Sequence, residues 1–464
     1  MSQKVVVEKM CWTRLLSDSM TGKNKKKVPG ESSRSLFERD YDRIIFSHPF
    51  RRLQDKTQVF PLPEHDFVHT RLTHSLEVSS VGRSLGKKAG EKIIEKHPQI
   101  ADSQINAYDF GAIVAAASLA HDLGNPPFGH AGEDAISDFF IHHPHGKKFK
   151  THLNNKEWAD ITAFEGNAQG FRLLNKGNFQ GLQLTAASRA AFSKYPRESV
   201  LKIRDKNRCS QKKYGFFQSE KSYFVEVAEQ TGLTNLGSDD EAVWVRHPLA
   251  FLVEAADDIC YHLIDLEDGC RLGLVPLEET ILLYAGILKN KFKPEKLEKI
   301  RNPEEKIGLL RAMAIGELID QCVGLFLAEE EALLAGSFDQ SLTSLIESKD
   351  MLDKIKKVSI EKIYRSRTVL ETEAAGFEVI TGLLDAITSA VYAKRFAPEN
   401  YSSQMKSIVR LLPVEFQEKL AKQEIPIYEI LMECIDIVAS MTDSYAISFY
   451  RKIKGISLPG RLSF

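Results

Sequence analysis

Apolar residues recur along most of the chain three and four positions apart, which is the spacing of helices with one buried face. No stretch alternates apolar and polar residues over the length of a strand. The pattern therefore predicts an all-α fold. In the C-terminal third the predicted helices cover 278–289, 304–328, 340–357 and 369–393, with several short helices up to residue 453.

The N-terminal half has a less regular pattern. Residues 1–34 end in a polar, lysine-rich run, and we interpret them as a loose arm. Helical patterns follow from Ser35, over 75–94 and from Phe164. The stretch 181–238 is mixed, and we expect it to be rich in loops.

One stretch of the N-terminal half combines reactive side chains with a stiff backbone. The apolar run 113–120 predicts a buried helix that delivers His121 and Asp122 at its end. The Gly-Asn-Pro-Pro segment that follows stops this helix, because proline has no backbone donor and restricts the residue before it. A new helix is expected near His130, with Glu133 one turn along. Imidazole and carboxylate groups placed in this way can bind a metal ion or exchange protons.

A second informative helix is predicted over 247–267. Asp257, Tyr261 and Asp265 are spaced four residues apart, so they share one face of this helix. Asp258 is rotated by about 100° from Asp257. A stripe of carboxylate, phenol and carboxylate on an otherwise apolar helix favours a polar site, and a solvated helix face is the alternative.

The remaining histidines have simpler interpretations. His69 precedes a predicted helix, and loop hydrogen bonding accounts for it. His142, His143 and His145 stand in a polar loop. We do not assign these three to a metal site, because no carboxylate lies near them in the sequence at ligand-like spacing.

Composition restricts the classes of function. The 62 Lys and Arg residues balance 63 Asp and Glu residues to a net charge of -1, so no overall positive field indicates a nucleic-acid-binding protein. The six cysteines are scattered without closely spaced pairs of ligands. We find no signal-peptide pattern and no apolar run of membrane-spanning length. These features lead us to expect a cytoplasmic protein without a membrane partner.

Eight segments, taken together and in order, resemble the bacterial dGTP triphosphohydrolases, which are HD-domain metallohydrolases. They lie at 37–43, 50–54, 70–77, 120–133, 164–172, 214–221, 254–261 and 441–446. The resemblance implies a helical HD-domain bundle with extended helical insertions and C-terminal helices. It places a single HD-type domain at 35–464, with the HD core at about 65–270 and a C-terminal helical part at about 271–464.

The resemblance also implies an activity. Members of this family use a divalent cation to hydrolyse a deoxynucleoside triphosphate, by attack of water at the α-phosphate, to a deoxynucleoside and intact triphosphate. We expect dGTP as the preferred substrate and Mn²⁺ or Mg²⁺ as the cation, with Co²⁺, Ni²⁺, Fe²⁺ and Zn²⁺ as alternatives. By motif position, the expected metal ligands are His74, His121, Asp122 and Asp257. Asp257 is preferred to Asp258 because it shares a face with Tyr261, which the family places against the sugar.

The other roles implied by the resemblance concern proton transfer and substrate binding. His130, oriented by Glu133, matches the position of an acid, base or water-positioning group. The positions implied for the substrate are Gln54 and Asp265 at the ribose 3′-hydroxyl, Tyr261 under the sugar and Arg71 at a phosphate. Lys212, Lys213 and Lys221 are weaker candidates for the outer phosphates.

Two other functions remain open at this point. One is an HD-type phosphohydrolase that acts on nucleoside monophosphates, and the other is a nucleotide- or single-stranded-DNA-binding regulator. The resemblance further implies a homo-oligomer, commonly a hexamer. A nucleotide or single-stranded DNA effector is a further partner to test, and the sequence does not reveal a site for it.

Overall fold

The fold is known from a computed structural model that describes residues 9–20, 34–59, 68–176, 182–238 and 240–457. These residues form α-helices and short 3₁₀ segments, and they contain isolated β-bridges but no strand, so the predicted all-α fold is confirmed. The helices are α1 (Trp12–Leu15), α2 (Leu36–Ile45), α3 (His48–Arg52), α4 (Arg71–Lys96), α5 (Ala107–Ala120), α6 (Gly129–His142), α7 (Pro144–Lys147), α8 (Asn155–Thr162), α9 (Gly166–Asn175), α10 (Ala186–Phe192), α11 (Lys221–Thr231), α12 (Pro248–Arg271), α13 (Leu277–Leu288), α14 (Pro294–Leu297), α15 (Pro303–Ala328), α16 (Glu330–Ala335), α17 (Lys349–Val358), α18 (Arg367–Phe396), α19 (Ser403–Arg410), α20 (Val414–Ala421), α21 (Ile427–Ala439) and α22 (Asp443–Ile453).

Local sequence signals define where the helices near the site begin. The Thr70 hydroxyl accepts a hydrogen bond from the backbone of Thr73 and so caps α4. Asn106 and Asp109 form the reciprocal cap of α5. Pro248 occupies the first position of α12, where no intrahelical donor is lost.

Close packing of α4 against α5 determines the distance between the two histidine-bearing segments. Gly82, Gly86 and Gly90 recur every four residues on the face of α4 that meets α5. A Cβ atom at Gly86 would lie 2.6 Å from the carbonyl oxygen of Phe110, and one at Gly90 would lie 2.7 Å from the Phe110 Cβ. Larger residues would therefore push the helices apart and separate the side chains carried at their ends.

The apolar core consists of two clusters. The first joins α4, α5, α12 and α15, with Val78, Ile113, Ile259 and Leu318 among its buried side chains. The second joins α6, α8, α18 and α21, with Phe140, Ile161, Leu384 and Ile435 among its members. The second cluster includes residues of the expected HD core, about 65–270, and of the expected C-terminal part, about 271–464. These two parts therefore share a core.

Two segments differ from the sequence prediction. Residues 9–20 are not a loose arm, since Trp12 is buried and its indole nitrogen donates to the Glu330 carboxylate at 2.9 Å. The remainder of the arm, 1–8 and 21–33, lies outside the described residues. The helix predicted over 340–357 is replaced by a 3₁₀ turn, Leu342–Ser344, and the shorter α17. The turn forms because the Thr343 and Ser341 hydroxyls bind a carboxylate on α12.

By length and composition alone, helix α18 contains a stretch that could cross a membrane. The sequence-based expectation that no apolar run has this length missed it. However, 56 % of this stretch is buried inside the protein. Core helices of soluble proteins pass the same test, and α18 packs against α6, α19, α21 and α22.

Candidate metal centre and active-site cavity

A cavity of about 570 Å³ opens where α4, α12 and α18 meet the loop between α5 and α6. Its size lies within the range of pockets that hold small-molecule ligands. The polar residues in its wall include Arg71, His74, His121, Asp122, His130, Glu133, Lys194, Lys213, Asp257, Tyr261 and Tyr364. Most of the site residues expected from the sequence therefore lie around one space.

His121 is held in one tautomer by its own helix end. Its Nδ1 lies 2.7 Å from the carbonyl oxygen of Ser118, so Nδ1 carries the proton and donates it. The other ring nitrogen, Nε2, then presents a lone pair to the Asp122 and Asp257 carboxylates, at 3.5 and 3.4 Å. This is the arrangement found in metal-binding histidines, whose second nitrogen is fixed by a hydrogen bond.

Asp257 connects the two histidines to a buried lysine. Its Oδ1 lies 3.3 Å from the Nε2 of His74 and 3.4 Å from that of His121. Its Oδ2 accepts a hydrogen bond of 2.6 Å from Lys194. Burial alone would raise the pKa of the Asp257 carboxyl, but Lys194 and His121 hold it well below its usual value. Asp257 is therefore an anion that turns one oxygen to the imidazoles.

Asp258 has different partners. Its Oδ2 accepts hydrogen bonds from Ser341 and Thr343, at 3.0 and 2.5 Å. Burial raises the pKa of this carboxyl. Asp258 therefore contributes to the packing of the 3₁₀ turn against α12, and the structure brings Asp257, not Asp258, to the histidines.

Asp122 is fixed from two sides. Arg71 donates to its Oδ2 at 2.7 Å, and Asn125 donates to its Oδ1 at 2.5 Å. Burial opposes ionisation of Asp122, but the Arg71 guanidinium lowers its pKa to about 2. Gly129 leaves room for Arg71, because a Cβ atom there would lie 2.8 Å from the guanidinium.

The donor set fits a divalent cation. Suitable atoms of His74, His121 and Asp122 lie within 4.8 Å of one another, and the Asp257 oxygen faces both imidazoles. A ring nitrogen with a free lone pair is repelled by a carboxylate unless a proton or a metal ion lies between them. Two imidazoles with two carboxylates suit a first-row transition metal, and the carboxylates also suit Mg²⁺.

His130 and Glu133 form a pair at the start of α6. The Nδ1 of His130 lies 3.0 Å from the Glu133 Oε2, and Gly166 donates its backbone hydrogen to the Glu133 Oε1 at 2.7 Å. Glu133 is buried, whereas the His130 side chain is 83 % exposed. Its hydrogen bond with Glu133 raises the pKa of His130. The pair thus offers a rigidly held carboxylate behind a solvent-accessible imidazole.

The backbone between the two histidine-bearing segments is tightly constrained. A Cβ atom at Gly124 would lie 2.0 Å from the carbonyl oxygen of Gly166, so only glycine allows this contact with α9. Phe128 has a positive φ of 65°, which is uncommon for an aromatic residue. Its backbone nitrogen donates to the Oδ1 of Asp443 at 3.0 Å, and this bond holds the turn that orients α6.

The expected sugar-binding residues are only partly in the cavity. Tyr261 lines it and stacks on Tyr364, with ring centroids 5.6 Å apart. Asp265 is buried behind them, accepts a hydrogen bond of 2.7 Å from the Tyr364 hydroxyl and does not line the cavity. Burial raises the pKa of Asp265 to about 8. Gln54 is exposed on a 3₁₀ turn outside the cavity. The glutamine in the cavity wall is Gln58.

Three residues of the cavity wall were not predicted or were only weakly predicted. Lys194 contacts Asp257, which is 63 residues away in the chain. Tyr364 contacts Asp265, which is 99 residues away. No sequence spacing indicates such contacts. Lys213, a weak candidate, lies 2.9 Å from Glu165 and 3.8 Å from Glu133. Lys212 and Lys221 do not line the cavity.

Comparisons with known proteins agree with this site. The HD domain model matches residues 71–163, and the model described as phosphohydrolase-associated domain matches 347–452. A deoxyguanosinetriphosphate triphosphohydrolase-like protein of Synechocystis sp. is 44 % identical over 97 % of this chain and 100 % of its own length. A protein of the same description from Pseudomonas aeruginosa is 37 % identical, also over 97 % of this chain and all of its own length. The deoxyguanosinetriphosphate triphosphohydrolase of Salmonella schwarzengrund is 31 % identical over 91 % of this chain and 94 % of its own length.

The chain belongs to the dGTP triphosphohydrolase family of HD-domain proteins. HD domains are metal-dependent phosphohydrolases, so this family member is a hydrolase, and its described residues include His and Asp groups that could hold a metal ion. The matched HD region contains His74, His121 and Asp122 together with His130 and Glu133. Asp257 lies outside both matched regions and reaches the cavity from α12, whereas Tyr364 belongs to the phosphohydrolase-associated match and reaches the cavity from the segment before α18.

Proposed function

We propose that the protein hydrolyses deoxynucleoside triphosphates, with dGTP preferred, to a deoxynucleoside and intact triphosphate. The observation that carries this proposal is that one cavity combines a His, His, Asp and Asp donor set with several cationic side chains. A monophosphate has no need of so many cations. The preference for guanine rests on what the relatives are called, since the cavity wall does not by itself select a base.

The cations suit the charge of a triphosphate. Arg71, Lys194 and Lys213 line the cavity, and each also forms an ion pair with a carboxylate of the wall. Neighbouring carboxylates raise the pKa of Lys194 and Lys213, so both stay protonated at neutral pH despite their burial. Charged donors of this kind make strong hydrogen bonds to phosphate oxygens.

His74, His121, Asp122 and Asp257 are the residues that would hold the divalent cation, with Mn²⁺ or Mg²⁺ as the expected ion. When bound, such an ion polarises a phosphoryl oxygen and increases the acidity of a water molecule. Lys194 and Arg71 keep the two aspartates ionised and in place.

His130 is the proposed proton-transfer group, and Glu133 positions it. The Glu133 carboxylate occupies Nδ1, which leaves Nε2 of this exposed ring to face a ligand. Through Nε2 the imidazole either protonates the leaving 5′-oxygen or takes a proton from the attacking water. Both roles require the hydrogen bond to Glu133, because it fixes the ring and makes it more basic.

The stacked pair of Tyr261 and Tyr364 is the proposed sugar-binding wall. A flat aromatic surface packed against the sugar leaves little space for a 2′-hydroxyl group. Asp265 supports this wall through the Tyr364 hydroxyl, and a direct bond from Asp265 to the 3′-hydroxyl would require Tyr364 to shift. Gln54 would likewise have to move to reach a ligand in the cavity.

Product identification tests the proposal. Purified protein is incubated with each of the four dNTPs, GTP and dGMP, with Mn²⁺, with Mg²⁺ and with chelator. We expect metal-dependent formation of deoxynucleoside and triphosphate, fastest with dGTP and absent with GTP. Release of monophosphate or phosphate would show a different HD-type phosphohydrolase. Binding of nucleotide or single-stranded DNA without turnover of any dNTP, alone or in pairs, would favour the regulator.

The same proposal includes a cytoplasmic location, a homo-oligomer such as a hexamer and a nucleotide or single-stranded DNA effector. The six cysteines, all within the described ranges, are free thiols, as is usual in a reducing compartment. Size-exclusion chromatography with light scattering, with and without dNTP, measures the oligomer directly.

A further inference from the structure

A second cluster of side chains that could hold a metal ion lies at the C-terminal end of α6, whereas the cavity residues His130 and Glu133 lie in its first turn. His143 and His145 flank the start of α7, and Asp385 approaches them from α18, 240 residues further along the chain than His145. Suitable atoms of the three side chains all lie within 4.8 Å of one another. We propose that these three residues form a second divalent-cation site that binds Zn²⁺ and joins α6–α7 to α18.

The distances converge on one oxygen atom. The Oδ1 of Asp385 lies 2.6 Å from the His145 Nδ1 and 3.9 Å from the His143 Nδ1. Around a tetrahedral Zn²⁺ ion with bonds of about 2.1 Å, neighbouring ligand atoms are about 3.4 Å apart. The two observed distances lie on either side of this value. Shifts of less than about 1 Å in these partly buried side chains would bring both contacts of Asp385 to this value, and the His143 Nδ1 would also give up its 3.4 Å contact with the backbone nitrogen of His145.

The backbone around the cluster is closely packed. A Cβ atom at Gly146 would lie 2.3 Å from the carbonyl oxygen of Phe139, so α7 folds back tightly on α6. The His143 ring stacks on Phe139 at 4.9 Å. This tight turn is what directs both imidazoles towards α18.

The donor chemistry favours zinc over magnesium or calcium. Imidazole nitrogens suit borderline transition metals, whereas Mg²⁺ and Ca²⁺ prefer oxygen ligands. The side chains of His143, His145 and Asp385 are 30, 45 and 29 % exposed, which leaves a fourth coordination position for water. The Ser389 hydroxyl lies 2.8 Å from the His145 Nδ1 and 3.1 Å from the Asp385 Oδ1, so a bound cation would take the place of its contact with Nδ1.

Such a site would join the two regions that match separate family models. His143 and His145 belong to the HD domain match, and Asp385 belongs to the phosphohydrolase-associated match. A cation bound to all three stabilises the folded protein, because the unfolded chain cannot present the three ligands together. The site is thus a clamp between α6, which carries His130 in its first turn, and α18, which lines the cavity near Thr372.

Zinc stoichiometry of the untagged full-length chain tests the site. Protein stripped with chelator is equilibrated with Zn²⁺ at a low free concentration, and bound zinc per chain is measured by mass spectrometry. His145→Ala and Asp385→Asn are compared with wild type, and both are expected to bind one zinc ion fewer per chain. His142→Ala is the matched control, because His142 is an exposed histidine at the end of α6, next to the cluster, that has only a 3.9 Å contact with Asp138.

The Asp257→Asn variant separates this site from the cavity. We expect it to bind one zinc ion and to gain thermal stability on zinc addition, whereas Asp257→Asn combined with His145→Ala binds none and gains nothing. If the cavity takes no metal but the clamp does, wild type and Asp257→Asn both bind one ion and His145→Ala binds none. Equal zinc content in wild type, His145→Ala and Asp385→Asn would overturn the clamp, whatever the cavity binds. Asp385→Asn keeps the shape of the side chain and is therefore expected to fold. A loss of zinc in this variant cannot be caused by the misfolding that His145→Ala could suffer.

Discussion

Lys194 donates a hydrogen bond of 2.6 Å to one oxygen of Asp257, while the other oxygen of Asp257 faces the Nε2 atoms of two histidines. The lysine thus determines which oxygen is free to bind a cation. It also keeps the carboxyl ionised, since Lys194 lowers the pKa that burial would otherwise raise. The adjacent Asp258 has no such partner and binds two hydroxyl groups instead.

The two neighbouring aspartates provide a matched pair of variants. Asp257→Asn is expected to lose metal binding in the cavity and all measurable hydrolysis, because the carboxamide carries no charge. Asp258→Asn is expected to keep both and to lose only about 1 kcal/mol of stability, since an amide oxygen still accepts from Ser341 and Thr343. Metal analysis and dGTP hydrolysis are measured on both variants. The opposite pattern would reassign the ligand to Asp258.

Glu133 is expected to act on the reaction through His130. In Glu133→Gln the amide can still accept from Gly166, so the fold is retained, but the charge that raises the pKa of His130 is lost. We expect kcat to fall by about 10²–10⁴-fold with little change in KM. The limb of the pH–rate profile that reports His130 should move to lower pH, because a raised histidine pKa falls when its carboxylate partner is removed.

The control for Glu133 is the next acidic residue of the same helix. Asp134→Asn removes the same charge from an exposed side chain outside the cavity wall. Its kcat is expected to stay within about twofold of wild type. An unchanged pH profile in Glu133→Gln would mean that His130 does not carry the proton that limits the rate.

Tyr364 is expected to support substrate binding through Asp265. Tyr364→Phe keeps the ring that stacks on Tyr261 and removes the hydroxyl that binds Asp265. Without this hydroxyl the Tyr364 ring is no longer held in place in the free enzyme. Ordering it when dGTP binds is expected to cost about 1.4 kcal/mol, which raises the KM about tenfold with a smaller effect on kcat. Tyr401→Phe removes the same atom outside the cavity wall and serves as the control. If KM is unchanged, the substrate does not depend on the contact between Tyr364 and Asp265.

The sequence predicts the features that depend on neighbouring residues. The helical spacing on α12 predicts that Asp257 and Tyr261 share one face and that Asp258 is rotated away. In the structure all three border the cavity, but the Asp258 carboxylate turns to Ser341 and Thr343, while Asp257 faces the histidines. Helix α5 ends at Ala120 with His121 as its C-cap residue, shortly before the Gly-Asn-Pro-Pro segment, whose prolines do not allow the helix to continue. These predictions succeed because helix geometry and backbone restriction act over a few residues.

Long-range partners could not be predicted in the same way. Lys194 and Tyr364 are ordinary surface-type residues in the sequence, and only packing brings them to Asp257 and Asp265. Trp12 is an isolated aromatic residue near a polar segment, yet it inserts beside Glu330 more than 300 residues away. Single-sequence patterns carry no information on contacts of this kind.

Arg172 and Asp436 form the centre of a buried ionic network between α9 and α21. Two guanidinium nitrogens of Arg172 donate to Asp436 at 2.9 Å, and Lys176 donates to it at 2.7 Å. Burial alone would raise the pKa of the Asp436 carboxyl, but Arg172 and Lys176 lower it to about 2. The network therefore requires the ionised carboxylate.

This network predicts a specific dependence of stability on pH. Because the pKa of Asp436 is lower in the folded protein than the ordinary value near 3.9, its contribution is complete above about pH 4 and is lost as the pH falls towards 2. Asp436→Asn should remove this part of the acid sensitivity and lower stability at neutral pH by about 3–5 kcal/mol, since two buried cations lose a charged partner. Denaturant unfolding at pH 7 and at pH 3 measures both effects.

Asp138→Asn, in an exposed pair, should change stability by less than about 0.5 kcal/mol at either pH. An equal loss in both variants would mean that the Arg172 network contributes no more than a surface ion pair.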